Sequence, residues 1–237
     1  VSKLAKEQVT VVLSGDAGDE IFGGYNRYEY AHRFWPKINS LPNRLKSIIS
    51  KLAPQLTPLI LLGSRVTGAI NKWENLDLKI QKTLKTMECA SVYELHDLLL
   101  APDHRLINSE LYHSLPEERA HEVFSNNLFE AYEQMMIADT ETYLADDILV
   151  KVDRAAMRHS LETRVPYLDN RIFSFAWSLP SQFKIHNGGT KRLLRALVSR
   201  YIDPGLLDQP KTGFGIPVAE WLRGPLKNYA SDVLFSG

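Results

Sequence analysis

The run Val9–Leu13, followed by Ser14-Gly15-Asp16-Ala17-Gly18-Asp19-Glu20 and then Ile21-Phe22, constrains this chain more than any other stretch. Val9 to Leu13 is apolar and rich in β-branched residues, so it reads as one buried strand. The small and acidic residues after it form a loop. Ile21 and Phe22 then open a helical pattern that carries Tyr25 and Tyr28 on neighbouring turns. Open α/β sheets hold their ligands at such a strand-to-helix junction.

Gly15 and Gly18 allow close backbone approach to a ligand, and a helix N-terminus favours anions. Yet Asp16, Asp19 and Glu20 would repel a phosphate unless a cation stood between them. Two readings are open. The acids cap the helix and complement its dipole, or Asp19, with Asp16, holds a Mg²⁺ that bridges to phosphate oxygens. Gly23-Gly24 weigh toward a ligand or another close neighbour. Each costs about 1 kcal/mol against alanine in a helix, so a close approach to the backbone is expected there.

The 237 residues suffice for one large domain or two small ones. The 28 basic and 28 acidic residues balance, which argues against nucleic acid or an acidic membrane surface as a partner. No apolar run reaches membrane-spanning length. The single cysteine, Cys89, cannot form an internal disulfide and has no activating neighbour in sequence; it reads as structural, in keeping with a cytoplasmic setting. His32, His96, His104, His113 and His121 are scattered without metal-ligand spacing and read as surface or core residues.

Residues 29–126 read as a helical insertion with little chemistry. The first helix is expected to continue from Tyr25 to Trp35 and to end at Pro36. Further helices are expected after Pro42, over Leu59–Ile70, over Leu76–Met87 and over Glu117–Asn126. Ser91 with Glu94 forms a capping box for a helix to Leu100. Another helix is expected over Leu128–Thr142. Trp35 and Trp73 read as packing residues.

Residues 143–177 differ. Asp147, Lys151, Asp153, Arg154, Arg158, Glu162, Arg164 and Asp169 sit inside an apolar frame, a pattern that suggests buried ion pairs. These either join helical layers or place charge against a charged substrate. Asn170–Leu179 reads as a helix ended by Pro180, and Gln182–Ile185 as a short extended piece. Beyond Gly188-Gly189 and Thr190, Lys191–Tyr201 reads as a basic amphipathic helix. Its apolar face is Leu193, Leu194, Leu197 and Val198. Lys191 is either one of a solvated row or a point charge for polyphosphate. A loop at Pro210–Pro217 with Lys211, then a helix with Trp221 and Leu222, close the chain.

Three blocks, LSGDAGDEIFGGYNRY, VDRAAMRHSLETRVPYLD and the GTKRLLR string, resemble the synthetase domain of glutamine-hydrolysing asparagine synthetases. PKTGFGIP resembles a segment near the end of that domain. The resemblance covers residues 9–28 and roughly 143–222. It implies an α/β, adenine-nucleotide alpha-hydrolase-like (ATP pyrophosphatase) fold. The piece here would be a mostly helical C-terminal part of that domain over residues 1–237, with one clear strand. It implies ATP and Mg²⁺ as cofactors. A carboxylate, foremost aspartate, would be adenylated and attacked by ammonia from glutamine. By the resemblance, Asp19 contacts Mg²⁺-pyrophosphate, Asp16 lies near the acyl-adenylate, and Gly15 belongs to the same loop. Lys191 stabilises the leaving pyrophosphate, Glu162 handles the amine proton, and Lys151, Arg154 and Arg164 are substrate-side candidates. Lys211 is a weaker site candidate.

Asparagine synthetases often have Glu where Asp16 stands. The Asp resembles relatives that amidate sugars in surface-polysaccharide pathways, which widens the range of acceptors. The cysteine-first glutaminase domain and the SGG-x-D-S phosphate loop of the family have no counterpart in these residues. The chain is therefore expected to be part of a longer protein with a glutaminase domain, and inactive alone. A non-catalytic helical interaction module is the alternative of another class. The sequence leaves homo-oligomerisation open.

Overall fold

The computed structural model describes residues 1–52, 83–100, 129–186, 189–207 and 217–235. The expected helices over Leu59–Ile70 and Glu117–Asn126, most of the one over Leu76–Met87, Trp73, His104, His113, His121 and Lys211 lie outside the described residues. The chain divides into two compact units, Val1–Leu194 and Arg195–Gly237.

The first unit is mostly helical around one small parallel sheet. Helix α1 (Ser2–Lys6) leads into strand β1 (Val11–Leu13), which pairs with β2 (Glu162–Arg164). Val11, Val12 and Leu13 face Glu162, Thr163 and Arg164 in register. The ladder extends at both ends, where Glu162 N–H donates to Thr10 O (3.0 Å) and Ser14 N–H to Arg164 O (2.8 Å). The expected single strand therefore has a partner within the chain. The partner was hidden because Glu162-Thr163-Arg164 carries no apolar run and little strand propensity. Helix α7 (Leu149–Met157) packs on β2, and α1 packs on α7. Half-buried Val12 and Thr163 alternate with exposed Val11, Leu13, Glu162 and Arg164, so β1 is open on one face rather than buried. Leu13 is 76 % exposed.

After β1 the chain forms α2 (Gly18–Phe22), α3 (Asn26–Arg33) and α4 (Trp35–Asn39). The helix expected to run to Pro36 is thus three short ones. Gly23 ends α2 in a left-handed conformation (φ 68°), which a residue without Cβ adopts freely. Pro36 lies in the first turn of α4, where its missing N–H costs nothing. Residues 43–52 are helical. In α5 (Val92–Leu100), Glu94 N–H donates to Ser91 Oγ (3.2 Å), while the Glu94 carboxylate accepts from Ala90 N–H (2.8 Å). The cap was expected; its return arm falls one residue earlier.

Helix α6 (Ala131–Asp139) is the centre of the helical layer. Tyr132, Met135, Met136, Ala138 and Asp139 are all buried, so it is covered on every side. Tyr28, Ala31, Trp35, Leu95 and Ile185 complete this core, which makes Trp35 the packing residue it was expected to be. After Asp139 the helix widens into a π-helix, Thr140–Ile148. Thr140 and Thr142 hydroxyls donate to the carbonyls of Met136 and Ala138 (2.7 Å each). Such bonds compete with the backbone ladder and loosen a helix at that point. A second, smaller core joins Ile21, Phe22 and Ala176 to Tyr167, Ile172, Leu193 and Leu194.

Ser160, in the left-handed region (φ 54°), turns the chain from α7 into β2. A 3-10 turn (Pro166–Leu168) and α8 (Asn170–Ser178) follow, the latter capped by the Asp169 carboxylate. Ser181–Lys184 is helical (α9), not extended as expected. Pro180 supplies the N-terminal boundary, and of the expected piece only Ile185, just after the helix, is extended. Helix α10 (Arg192–Val198) begins one residue after Lys191, which itself sits at φ 52°. In the second unit α11 (Pro204–Leu207) precedes α12 (Val218–Arg223) and α13 (Lys227–Phe235). The last two pack together across the turn at Gly224, and Trp221 and Leu222 lie on α12 as expected. No described helix is long and apolar enough to cross a membrane.

Candidate active site

β1 and β2 are parallel, so their C-terminal ends open on one edge. The loop 14–17 leaves β1 there and Val165–Asp169 leaves β2 there. The second segment touches α2, into which the loop runs: Tyr167 packs edge-on to Phe22 (5.7 Å between centroids), and a Cβ on Gly18 would stand 3.0 Å from the Tyr167 ring. Gly18 is therefore required by the aromatic above it. Ala17, at φ 65°, turns the backbone into α2.

The acids of the loop have separate destinations. The Ser14 hydroxyl donates to the Asp16 carboxylate. Asp19 faces the open side and pairs with Lys191, Nζ to Oδ2 at 2.8 Å; the two side chains are 32 % and 27 % exposed. Glu20 turns inward and is 1 % exposed. It accepts from the Tyr25 hydroxyl at 2.8 Å. Burial pushes its carboxyl above the usual range, and the Tyr25 bond offsets this only in part. Burial, followed by the bond to Glu20, pushes the Tyr25 phenol upward in turn.

Gly24 explains the expected close approach. A Cβ there would stand 2.7 Å from Asp19 Cγ and closer still to Asp19 Oδ1 and Lys191 Cε. Its N–H donates to Asp19 O at 2.7 Å. The glycine thus leaves the space in which Asp19 and Lys191 meet, residues 172 positions apart in sequence. Gly23 serves packing: a Cβ there would lie 2.9 Å from Ile185 Cγ1.

Residues 143–169 overturn the expectation of buried ion pairs. Lys151 pairs with Asp147 at 3.0 Å, Glu162 with Arg164, and Asp169 with Arg171 at 2.9 Å, all at exposed positions. Asp153, Arg154 and Arg158 are exposed as well. The physical reason is the phase of two elements: α7 turns Ala156 inward and leaves Lys151, Asp153 and Arg154 outside, and β2 exposes Glu162 and Arg164 while half-burying Thr163. Glu162 and Arg164 share the open face of β2. Lys151 lines a groove of about 580 Å³ with Leu13, Ser14, Gly15, Ala156 and Leu161. Of the expected site residues, the fold therefore brings Asp19 to Lys191, Gly15 and Lys151 to one groove, and Glu162 to Arg164.

The buried charge lies in the helical layer, where sequence reading placed no chemistry. Asp139 is fully buried. It accepts from Arg27 Nε (2.8 Å), the Tyr28 hydroxyl and His96 Nε2 (2.9 Å), which requires the Nε2–H tautomer of His96. Burial pushes the Asp139 carboxyl up. The bonds and charges of His96 and Arg27 outweigh burial and hold it below its ordinary value. The Arg27 guanidinium also lies over the Tyr25 ring at 3.9 Å. The one signal for this cluster is chemical: Asp139 follows the apolar run Met135–Ala138 of α6, where a carboxylate demands partners. Cys89 is buried and its thiol is pushed up to about 12, in keeping with a structural cysteine.

The family model of asparagine synthase matches residues 1–237, the whole chain. The chain belongs to the asparagine synthase family. Among curated relatives, asparagine synthetase [glutamine-hydrolyzing] 1 of Bacillus subtilis (strain 168) is 27% identical over 99% of this chain and 35% of its own length. A putative asparagine synthetase [glutamine-hydrolyzing] of Mycobacterium bovis is 32% identical over 97% of this chain and 33% of its own. The human asparagine synthetase [glutamine-hydrolyzing] is 42% identical over 77 residues, 31% of this chain and 13% of its own length. This member of the asparagine synthase family thus spans about a third of the length of the bacterial relatives it matches. No solved structure matches it.

A divalent cation fits the donor set on one condition. The described residues hold no cluster of three or more metal-ligating side chains. Mg²⁺, however, commonly takes one or two carboxylates and fills its remaining positions with water and substrate phosphates. Asp19, half-exposed at the sheet edge, can serve as such a carboxylate.

Proposed function

We propose that this chain carries the pyrophosphate-releasing part of an ATP-dependent amide-forming ligase with an adenine-nucleotide alpha-hydrolase-like fold. The observation that carries the reading is the Asp19–Lys191 pair, seated on Gly24 at the C-terminal edge of β1. Open α/β sheets bind ligands at that edge. Lys191 has three donors, of which Asp19 takes one, so it can keep its partner and still meet a phosphate oxygen.

In the reaction, a carboxylate oxygen of the substrate attacks the α-phosphorus of ATP. The new O–P bond forms as the bond to pyrophosphate breaks. Ammonia then attacks the acyl carbon, AMP leaves, and the nitrogen loses a proton. Lys191 stabilises negative charge on the departing pyrophosphate. Mg²⁺, when bound, neutralises the polyphosphate, and Asp19 would hold it. Asp16 and Gly15 present the loop to the acyl-adenylate. Glu162, held by Arg164 on the open face of β2, is the candidate acceptor for the proton. Lys151, Arg154 and Arg164 are the cations available to an acidic substrate.

The relatives are named glutamine-hydrolyzing and are about three times as long as this chain, which supports the rest of the reading: ammonia from glutamine, released by a glutaminase domain elsewhere in the protein. Aspartate is the first acceptor to test. The Asp at position 16 favours, as a second reading, a sugar-borne carboxylate of surface-polysaccharide synthesis. The complete protein should exchange labelled pyrophosphate into ATP in the presence of its carboxylate, and Lys191→Ala should abolish the exchange. A complete protein that shows no exchange with aspartate or uronic-acid acceptors refutes the ligase reading. It would leave the helical interaction module as the alternative.

A further inference from the structure

Asp139 ends α6, and a continuous chain of contacts links it to the open loop. Asp139 is 0 % exposed and holds Arg27 through both Nε and Nη2, each at 2.8 Å. The Tyr28 hydroxyl donates to the same oxygen, Oδ2, and His96 Nε2 to Oδ1. Held this way, the Arg27 guanidinium lies over the Tyr25 ring (3.9 Å) and near the ring of Tyr143 of the π-helix (5.5 Å), which is itself edge-on to Tyr25 (6.1 Å). Tyr25 in turn reaches Glu20, the residue after Asp19. The segment from Asp19 to Tyr25 is therefore closed on itself twice, by Gly24 N–H to Asp19 O and by Tyr25 Oη–H to Glu20. The closed segment is tethered to the helical layer at Tyr25.

A buried ion pair returns little stability, because both charges lose their water. What it does supply here is direction. Arg27 has one defined place, and Tyr25 is packed on it. Gly24, the residue before Tyr25, is the floor on which Asp19 meets Lys191.

We propose that Asp139 is a positioning residue for the pyrophosphate side of the site, acting through Arg27, Tyr25 and Glu20 to hold Gly24 under the Asp19–Lys191 pair. The inference rests on the proposed ligase reading for its kinetic consequence, but not for its mechanical one. It touches no reacting atom: the effect passes through the backbone at residues 23–25.

The test compares Asp139→Asn, Tyr25→Phe and their double variant in the complete protein. Amide hydrogen exchange over residues 19–28 is followed together with carboxylate-dependent pyrophosphate exchange. Both single variants should speed amide exchange in that segment. Each should lower kcat about 10-fold with KM for ATP changed less than about twofold, as befits a loss felt in the transition state. Because both act on one path, the double variant should be no worse than the poorer single one. Glu20→Ala should behave like Tyr25→Phe, and Glu20→Gln, which keeps an acceptor for the hydroxyl, should restore most of the rate. A purely structural role would lower the folded fraction without this split or this rescue. Should Asp139→Asn fail to fold, Tyr25→Phe, which removes one half-buried hydroxyl, still decides.

Unchanged amide protection of residues 19–28, or faster amide exchange with wild-type kcat, overturns the proposal. So does additivity in the double variant. An inactive wild type would refute the ligase reading instead, and the amide-exchange arm would then judge the tether by itself.

Discussion

Gly24→Ala separates activity from stability in one substitution. The added methyl would lie 2.7 Å from Asp19 Cγ and closer to Asp19 Oδ1 and Lys191 Cε, well inside van der Waals contact. Gly24, unlike Gly23, does not take a left-handed φ, so the backbone itself accepts alanine. Overpacking a rigid core costs about 1–3 kcal/mol. Here the obstructing atoms belong to two side chains about a third exposed, which can swing outward. The stability loss should therefore sit near the low end, about 1 kcal/mol. The pair, however, cannot remain on Gly24. Losing a preorganised group that meets developing charge costs about 10²–10³ in rate, or about 3–4 kcal/mol. Pyrophosphate exchange should fall about 100-fold or more while the urea midpoint moves little. Gly23→Ala is the reverse control. It forces alanine to φ 68° and into Ile185 Cγ1 at 2.9 Å. Left-handed backbone costs about 1–2 kcal/mol before the clash is added, so stability should fall further. Wild-type exchange rates in Gly24→Ala would refute the assignment of Asp19 and Lys191 to the phosphate site.

Three further outcomes follow from the buried charges. Glu20 has a raised carboxyl, so the folded state holds its proton more tightly than the unfolded state does. Its presence therefore costs no stability below about pH 4, the unfolded range, and an increasing amount as pH rises toward the folded value. Glu20→Gln should gain stability over wild type on going from pH 4 to 7 in denaturant titrations, and a constant difference would contradict this. Asp139 has the opposite sign: its lowered carboxyl contributes stability above about pH 4 that is lost on acidification below it. Asp139→Ala, which strands buried Arg27, should cost about 3–5 kcal/mol at pH 7 and less in acid. Lys184 is fully buried, its Nζ has no hydrogen-bond partner among the described residues, and burial pushes the amine down. Lys184→Met should raise the thermal midpoint at pH 7, and by less near pH 10, where the unfolded lysine also loses its proton.

How much of this was legible in the sequence depended on whether a residue's partner lies nearby in the chain. β1, the cap at Ser91, the helix Asn170–Ser178 and the packing of Trp35 were readable, because each rests on local pattern or on bulk apolarity. Gly23-Gly24 signalled a close approach, though not what approaches: Ile185 and Lys191 are more than 160 residues away. β2 was missed because three polar residues in a parallel pair have no strand signature of their own. The charges of residues 143–169 looked buried because apolar neighbours surrounded them in sequence. The helical phase of α7 puts Lys151, Asp153 and Arg154 on its outer side, and the alternation of β2 exposes Glu162 and Arg164. Asp139 is not legible because an acid after the apolar run Met135–Ala138 has no visible partner until Arg27, Tyr28 and His96 converge on it from two other helices.

The loop that carries Asp16, Asp19 and Glu20 poses a problem that sequence alone leaves unsolved, namely how three acids could receive a polyphosphate. Its geometry answers by sorting them. Helix α2 spans five residues between two left-handed ones, Ala17 and Gly23. Successive residues on such a turn point about 100° apart, so Asp19 and Glu20 cannot share a direction. Glu20 goes to the interior, where burial favours its neutral form and Tyr25 satisfies it. Asp19 stays at the edge against the charge of Lys191. Asp16 accepts the hydroxyl of its neighbour Ser14. The edge therefore presents less negative charge than its composition suggests, with Lys191 set against Asp19. Removing that cation while leaving all three acids, as in Lys191→Ala, should weaken pyrophosphate binding more than Asp19→Asn does. The first change uncovers a bare carboxylate where the second leaves a free ammonium. Equal losses in a direct pyrophosphate-binding titration would show that Asp19 is needed in its own right, as a metal ligand, and not only as the partner of Lys191.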